Sequence, residues 1–105
     1  MTDKVLVLTS AGDDAEAQKI AQELVERRLA ACVNIVPRIQ SVYRWEGKVE
    51  TAEEFLLIIK TTKTRSAEVK TAIRELHSYE LPECIVISME DGSAEYLKWI
   101  EDSVS

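Results

Sequence analysis

The sequence has few of the residues that interrupt regular structure, with three glycines and two prolines among 105 residues. Linkers and low-complexity segments are rich in these residues, and we find no internal repeat. A folded chain of this length buries about 60–65% of the surface that its unfolded form exposes. The sequence therefore predicts one domain over residues 1–105, with one hydrophobic core.

Long hydrophobic runs are also missing. The apolar run near the N-terminus, Val5 to Leu8, is far shorter than the core of a signal peptide. No segment approaches the ~20 apolar residues of a membrane span. We therefore expect a soluble cytoplasmic protein that does not bind a membrane.

Basic residues are outnumbered and scattered. Thirteen Lys and Arg stand among nineteen Asp and Glu, which gives a net charge of −6. Phosphate backbones and anionic lipids repel such a surface unless a local basic patch exists, and the sequence shows none. We therefore expect no nucleic acid among its partners.

Residues that bind transition metals are rare, namely one histidine, His77, and two cysteines, Cys32 and Cys84. Imidazole and thiolate are the ligands that these metals prefer. The simplest role of the cysteines is that of small buried hydrophobic residues. At the end of a predicted helix, His77 can donate to the last carbonyl groups. Three roles stay open for His77: this structural one, a surface metal site with carboxylates, and a site shared with a cysteine of another subunit.

Hydrophobic periodicity predicts a β-α-β-β-α-β order followed by a short helix. Asp13 and Glu16 have the spacing of a capping box, which starts the first helix. Ser93 can cap the terminal helix, with Leu97, Ile100 and Val104 inward. The predicted strands cover residues 5–10, 32–45, 49–62 and 84–90, and the longer helices cover 14–30 and 65–77. This order predicts an α+β, ferredoxin-like split βαβ sandwich with strand order 4-1-3-2 and an extra C-terminal helix.

The two central strands form an unusually long β-hairpin. Gly47 supplies the positive φ of its turn, and Pro37 places the first arm at a sheet edge or a bulge. Each arm has about fourteen residues, or ~45 Å when extended. Arms that outrun their own sheet leave backbone groups unpaired unless another chain covers them. The hairpin therefore predicts an oligomer, with its aromatic residues Tyr43, Trp45 and Phe55 at the subunit interface.

Enzymatic and RNA-binding functions of this fold need motifs that the chain lacks. The predicted third strand, EEFLLIIKTT, does not carry the aromatic signature of RNA-recognition domains. Acylphosphatases need a glycine-rich, Arg-bearing anion loop after strand one, but TSAGDDAE has one glycine and three acids there. Glu46, Glu80 and Glu83 lie on predicted turns, where solvated acids are usual. We expect no catalytic residues.

Five segments carry a resemblance to a known family. They are LAACVNIVP (29–37), SVYRWEGKVE (41–50), IKTT (59–62), HSYELPE (77–83) and YLKW (96–99). Together they resemble the CutA proteins, which are named for divalent-cation tolerance. The resemblance implies a PII-like homotrimer of ferredoxin-like subunits with a cytoplasmic, non-enzymatic role in the response to metal ions. Some members of the family are associated with copper binding, so the resemblance also implies a site for copper or another divalent metal.

The copper ligands that the resemblance implies are only partly present. They are a cysteine at the end of strand one and a pair of histidines just before the Tyr-x-x-Pro-Glu turn. Thr9 and Leu76 occupy two of these three positions, so that His77 alone remains. One imidazole holds copper or zinc weakly. Cys32 and Cys84, on strands at opposite edges of the predicted sheet, could complete a site only across a subunit boundary.

A second interpretation of the resemblance needs no metal. Lys60, His77, Tyr79 and Glu83 could converge in a cleft between subunits and bind a small ion or molecule. Such a cleft would make the protein a PII-like small-molecule sensor, an inference that rests on architecture alone.

Overall fold

The computed structural model describes residues 2–105, so Met1, the first residue of the predicted domain, lies outside it. Its elements are β1 (Lys4–Ala11), α1 (Asp14–Glu26), β2 (Cys32–Trp45), β3 (Lys48–Thr62), α2 (Lys63–Leu76), β4 (Ile85–Ser88) and α3 (Ala94–Val104). The four strands form one antiparallel sheet in the order β2-β3-β1-β4. The predicted α+β class, element order and strand order are confirmed.

Two helix boundaries differ from the predicted ones by two residues or more. α1 ends at Glu26 rather than near residue 30, because Arg28 adopts a left-handed conformation with φ of 58°. α2 begins at Lys63, two residues early, because Thr62 caps it by accepting a hydrogen bond from Arg65 N–H. Backbone conformation at single residues, which hydrophobic periodicity does not encode, sets both ends.

The hydrophobic core lies between one face of the sheet and the helices α1 and α2. Side chains alternate between the two faces of a strand, and Val7 of β1 and Ile59 of β3 are fully buried on the helix side. Ile20, Leu24 and Ile73 pack against them from the two helices. The strands alternate and the helices repeat every three or four residues, as the sequence predicts.

The opposite face of the sheet is apolar and largely uncovered. Leu6 lies opposite Ile87, and Leu8 lies opposite both Ile85 and Ile58. Ile87 keeps 43% of its surface exposed. We call this surface the open sheet face. α3 meets it at one end, where the Tyr96 hydroxyl lies near Lys60.

The hairpin of β2 and β3 extends beyond the rest of the sheet. β1 ends at Ala11, opposite Phe55, so that residues 48–54 of β3 continue past it, paired with β2. Glu46 and Gly47 form the two-residue turn, both with positive φ. Pro37 and Arg38 form a bulge in β2, which is an edge strand, and this confirms both alternatives predicted for the proline.

Two arginine side chains hold the C-terminal end of α3. Arg28 donates from Nη2 to the carbonyl of Asp102 at 2.9 Å, and Arg65 donates from Nε to the carbonyl of Val104 at 2.8 Å. Helix-terminal carbonyl groups have no partner within their own helix. Because Ile100 and Val104 are buried on the inner side of α3, this clasp fixes the helix against the sheet.

Candidate functional site

His77 is a buried structural link between α2 and β1. It is the C-cap residue of α2, its side chain has no exposed surface, and Nε2 hydrogen-bonds the carbonyl of Ser10. A carbonyl oxygen only accepts, so Nε2 carries the proton. Nδ1 then accepts from the backbone N–H of Tyr79 at 3.0 Å. The ring does not donate to the last carbonyls of α2, because it points across to β1 instead.

Glu16 faces the same imidazole without bonding to it. Glu16 Oε1 lies 3.4 Å from His77 Nδ1 and is buried with no hydrogen-bond partner. Because Nδ1 carries no proton when it accepts from Tyr79, it has nothing to donate to Glu16. Both imidazole nitrogens are therefore occupied by backbone groups, and neither is free to bind a metal.

The remaining metal candidates lie apart. Cys32 begins β2 opposite Lys60, whereas Cys84 precedes β4 at the other edge of the sheet. Cys84 packs partly against the core, and this burial raises the pKa of its thiol. Within residues 2–105, no three His, Cys, Asp or Glu side chains are grouped closely enough to hold a metal ion. A single chain thus does not bring Cys32, Cys84 and His77 together.

A groove lies where the hairpin passes the end of β1. Its volume is about 710 Å³. Its walls come from the hairpin, the last residues of β1 and the loop between α2 and β4. They comprise Ser10, Ser41, Val42, Tyr43, Trp45, Glu50, Glu54, Tyr79, Glu80, Leu81 and Glu83. We call this the hairpin groove.

Glu54 lies at the base of the hairpin groove and is 8% exposed. Its Oε2 accepts from the Tyr79 hydroxyl at 2.8 Å and from the Ser10 hydroxyl at 3.3 Å. Burial of the phenol and its bond to Glu54 raise the pKa of Tyr79, so that Tyr79 remains a donor. A Cβ at Gly12 would lie 3.1 Å from the Tyr79 hydroxyl oxygen. The absence of a side chain there leaves room for the phenol.

The structure brings four of the predicted site residues to this groove, namely Tyr43, Trp45, Tyr79 and Glu83. Lys60 lies six residues along β3 from Glu54, about 20 Å away, and its Nζ is 3.3 Å from the Tyr96 hydroxyl. A cleft that joined Lys60 to Tyr79 would need a second chain.

Phe55, the third aromatic residue predicted at the subunit interface, packs partly against the core of its own chain. Tyr43 and Trp45 are instead about 40% exposed, at 41% and 40%. The hairpin thus presents two of its three aromatic rings to solvent, and both belong to the wall of the groove.

Seven of the eleven residues that line the groove were not predicted as site residues, and they include Ser10, Glu50 and Glu54. Glu54 bonds to Ser10 and Tyr79, which are 44 and 25 residues away in the chain. The sequence does carry a signal for these two acids, because side chains alternate between the two faces of a strand. Glu50 and Glu54 lie on one face of β3, and the buried Leu57 lies on the other. An acidic pair on the hairpin could have been inferred from that alternation.

Comparison with known proteins agrees with the fold and with the motifs. The family model described as "CutA1 divalent ion tolerance protein" matches residues 5–103. The chain belongs to the CutA1 family. A "Divalent-cation tolerance protein CutA" of Thermus thermophilus is 42% identical over 98 residues, which cover 93% of this chain and 95% of that protein.

Solved structures of CutA1 relatives have the same fold. The crystal structure of CutA from Xylella fastidiosa superposes with a TM-score of 0.97 at 39% identity, covering 99% of this chain and 100% of that one. CutA from Archaeoglobus fulgidus superposes with a TM-score of 0.95 at 42% identity, covering 97% and 99%. That protein is described as periplasmic. In residues 2–105 of the present CutA1 chain, no helix is both long and apolar enough to cross a membrane.

Proposed function

We propose that this CutA1 chain works as a non-catalytic homotrimer in the response of its cell to divalent cations. The open sheet face carries the proposal, because an exposed apolar patch of this kind marks a protein interface. Ile85 and Ile87 stay 49% and 43% exposed on it. The overrunning hairpin adds unpaired backbone groups at the edge of β3, which a neighbouring subunit can satisfy.

The proposed subunit interface includes the three aromatic residues that the sequence predicts there. Tyr43 and Trp45 contribute their exposed rings, and Phe55 contributes the part of its ring that the core leaves uncovered. Aromatic side chains are enriched in such interfaces because they bury a large area with little loss of side-chain freedom.

A copper site made from the ligands that the resemblance implies does not fit this chain. His77 is engaged at both nitrogens, Thr9 replaces the cysteine, and Leu76 replaces the first histidine of the pair. Copper prefers thiolate and imidazole to a hydroxyl group. The proposed metal response therefore does not pass through these positions.

A second candidate function, small-molecule sensing, is favoured by the hairpin groove. Its volume lies within the range of about 300–1,000 Å³ that is usual for ligand sites. Tyr79 and Glu83, two of the predicted cleft residues, line it. The proposed location is the cytoplasm, in keeping with two cysteines that are both free in residues 2–105.

Complementation tests the metal part of the proposal. Deleting the gene should lower the highest copper or zinc concentration at which the host still grows. The wild-type gene should restore this tolerance. The variants His77→Gln and Cys32→Ser/Cys84→Ser should restore it equally. Glutamine can donate to the Ser10 carbonyl and accept from Tyr79 N–H, so it keeps the structural link without an imidazole.

Two results would contradict the proposal. If the deletion has no effect on growth in raised copper or zinc, the protein has no part in the cation response of that host. If the His77→Gln protein is folded by circular dichroism but fails to restore growth, His77 acts as a ligand and not as a link.

A further inference from the structure

We propose that neighbouring chains of the assembly pack head to tail, with Lys60 of one chain paired to Glu54 in the hairpin groove of the next. The inference rests on the proposed trimer and deepens it, since it names the two surfaces that meet and the charge pair that orients them. The placement of charge on the open sheet face, the surroundings of each charge and the shape of the hairpin support it.

The open sheet face carries opposite charges at its two ends. Residues at alternate positions of a strand share a face, and four such side chains of β3 stand on this one: Glu54, Leu56, Ile58 and Lys60. The carboxylate lies at the hairpin end and the ammonium group lies at the other end, about 20 Å away. A single chain therefore keeps these two charges apart.

Lys60 is a cation without an acidic partner in its own chain. It forms no ion pair within residues 2–105, and its Nζ lies 3.3 Å from the Tyr96 hydroxyl oxygen. Its neighbours across the sheet, Leu6 and Cys32, are uncharged. A subunit that covers this end removes water from the ammonium group, which is costly unless the same subunit brings a carboxylate.

The hairpin groove has the opposite excess of charge. In the described chain, four of its eleven lining residues are glutamates and none is basic. Glu54 at its base is 8% exposed, and Oε2 accepts from the hydroxyl groups of Tyr79 and Ser10. Both donors are neutral, so they orient the carboxylate without cancelling its charge. An ammonium group from another chain would cancel it.

The shape of the hairpin allows the two ends to meet. Residues 48–54 of β3 project past the end of β1 and can therefore reach across a neighbouring chain. In a closed ring each interface joins two different patches of the subunit, so the hairpin end of one chain can meet the Lys60 end of the next. Chains packed with their acidic ends together would instead place like charges in contact, which is unfavourable.

A double-mutant cycle is the test, with Lys60→Met and Glu54→Gln made singly and together. Methionine fills a similar apolar volume without the charge, and glutamine can still accept from Tyr79 and Ser10. Because residues about 20 Å apart in one chain act independently, a coupling between the two changes reports a contact between chains. Circular dichroism shows that each variant is folded, and Lys60→Gln replaces Lys60→Met if methionine prevents folding.

The measured quantity is the rate at which dye-labelled chains exchange between assemblies, at a temperature where the wild type exchanges within hours. Each single variant should exchange about thirtyfold faster, since leaving one charge of a buried pair alone acts on dissociation and costs 2 kcal/mol or more. The double variant should exchange no faster than the faster single variant, because it leaves no charge unpaired.

Two matched controls lie outside the open sheet face. Lys98→Met removes a lysine of α3 that pairs with Asp102 in its own chain, and it should leave the exchange rate unchanged. Glu68→Gln removes a glutamate of α2 that pairs with Arg65. Combined with Lys60→Met, it should add no coupling.

Three outcomes overturn the inference: no effect of either single variant on exchange, independent effects of the two changes, or equal coupling of Lys60→Met with Glu68→Gln. Light scattering on the same samples separates this failure from that of the proposed function. A monomeric wild type would contradict the trimer and the inference together. A trimer whose exchange does not depend on Lys60 and Glu54 would refute the inference alone and leave the proposed trimer and cation response standing.

Discussion

At the residue scale, Tyr79 connects the loop after α2 to the hairpin through one phenol. Its hydroxyl donates to Glu54, its backbone N–H donates to His77, and its ring lies against Gly12. The chemistry of this phenol therefore affects the stability of the fold as well as the shape of the groove.

Replacing Tyr79 with Phe should lower the free energy of unfolding at pH 7 by about 1.5–3 kcal/mol, the usual effect of losing a hydrogen bond to a charged acceptor. The difference between the two proteins should narrow at high pH. The folded state raises the pKa of Tyr79, so above pH ~10 the unfolded chain releases a proton that the folded chain retains. Wild-type stability therefore falls as pH rises, and the Phe variant should lose less.

Urea unfolding at fixed protein concentration, from pH 7 to pH 11, measures both effects. Tyr96→Phe is the matched control, because it keeps the Tyr79 phenol and the slope that this phenol causes. Equal slopes for the wild type and Tyr79→Phe above pH 10 would show that Tyr79 is not the group responsible.

The contacts of Tyr79 also show why the site was harder to predict than the fold. The architecture suggests Tyr79 and Glu83 for a cleft between subunits, and the long hairpin suggests Tyr43 and Trp45 for the subunit interface. In the structure all four line one groove of a single chain. Glu54 was not inferred, because its partners are distant in sequence and nothing local marks them. Residue chemistry is visible in a sequence, whereas the pairing of distant residues is produced by the sheet.

At the element scale, α3 depends on a residue with a strained backbone. Arg28 has φ of 58°, a conformation that costs a non-glycine residue roughly 1–2 kcal/mol. Glycine is the usual residue at such a helix end. The side chain of Arg28 explains why arginine stands here, since it bonds to the carbonyls of Asp102 and Ser105.

Replacing Arg28 with Ala should lower the free energy of unfolding by about 1 kcal/mol and loosen the last turn of α3. Amide hydrogen exchange should accelerate at residues 101–105 more than in α1 or α2. Arg27→Ala is the matched control, because Arg27 pairs with Glu23 on its own helix. If exchange in α3 is the same in both variants, the arginine clasp does not hold the helix.

Elements were predicted well where their signals are local. Alternation marks β3, the Glu46-Gly47 pair marks the turn, and Pro37 marks the bulge. Hydrophobic periodicity alone predicts an end of α1 four residues too late, because Leu29 and Ala30 continue the apolar pattern. The left-handed conformation of Arg28 ends the helix before those two residues, and no glycine in the sequence marks this position.

At the scale of the whole molecule, the open sheet face is apolar surface that a single chain leaves exposed to water. Ile85 and Ile87 are apolar, exposed and adjacent to Leu8 and Leu6 across the β1–β4 pairing. Covering them would remove apolar surface from water, which stabilises an assembly by roughly 25 cal/mol for each Å². This surface and the overrunning hairpin together support the proposed assembly of several chains.

Replacing Ile87 with Lys should dissociate the assembly, because a charged side chain would be buried in the interface without a partner. Light scattering should give three times the chain mass of 11.9 kDa for the wild type and a lower mass for Ile87→Lys. Val25→Lys is the matched control, since Val25 is equally exposed at 43% but lies on α1. A monomeric wild type, or equal dissociation by both variants, would contradict the proposed trimer.

The strand order β2-β3-β1-β4 also has a consequence for synthesis. β1 is made first, but its partners β3 and β4 come later, and Val5 pairs with Ser88 near the other end of the chain. At roughly 5–20 residues per second on the ribosome, Ser88 follows Val5 by several seconds. The hairpin can form in that interval, because its arms are adjacent in the chain. The strand of the sheet that is made first is therefore among the last to be enclosed, and the growing chain presents one edge of β1 until β4 has been made.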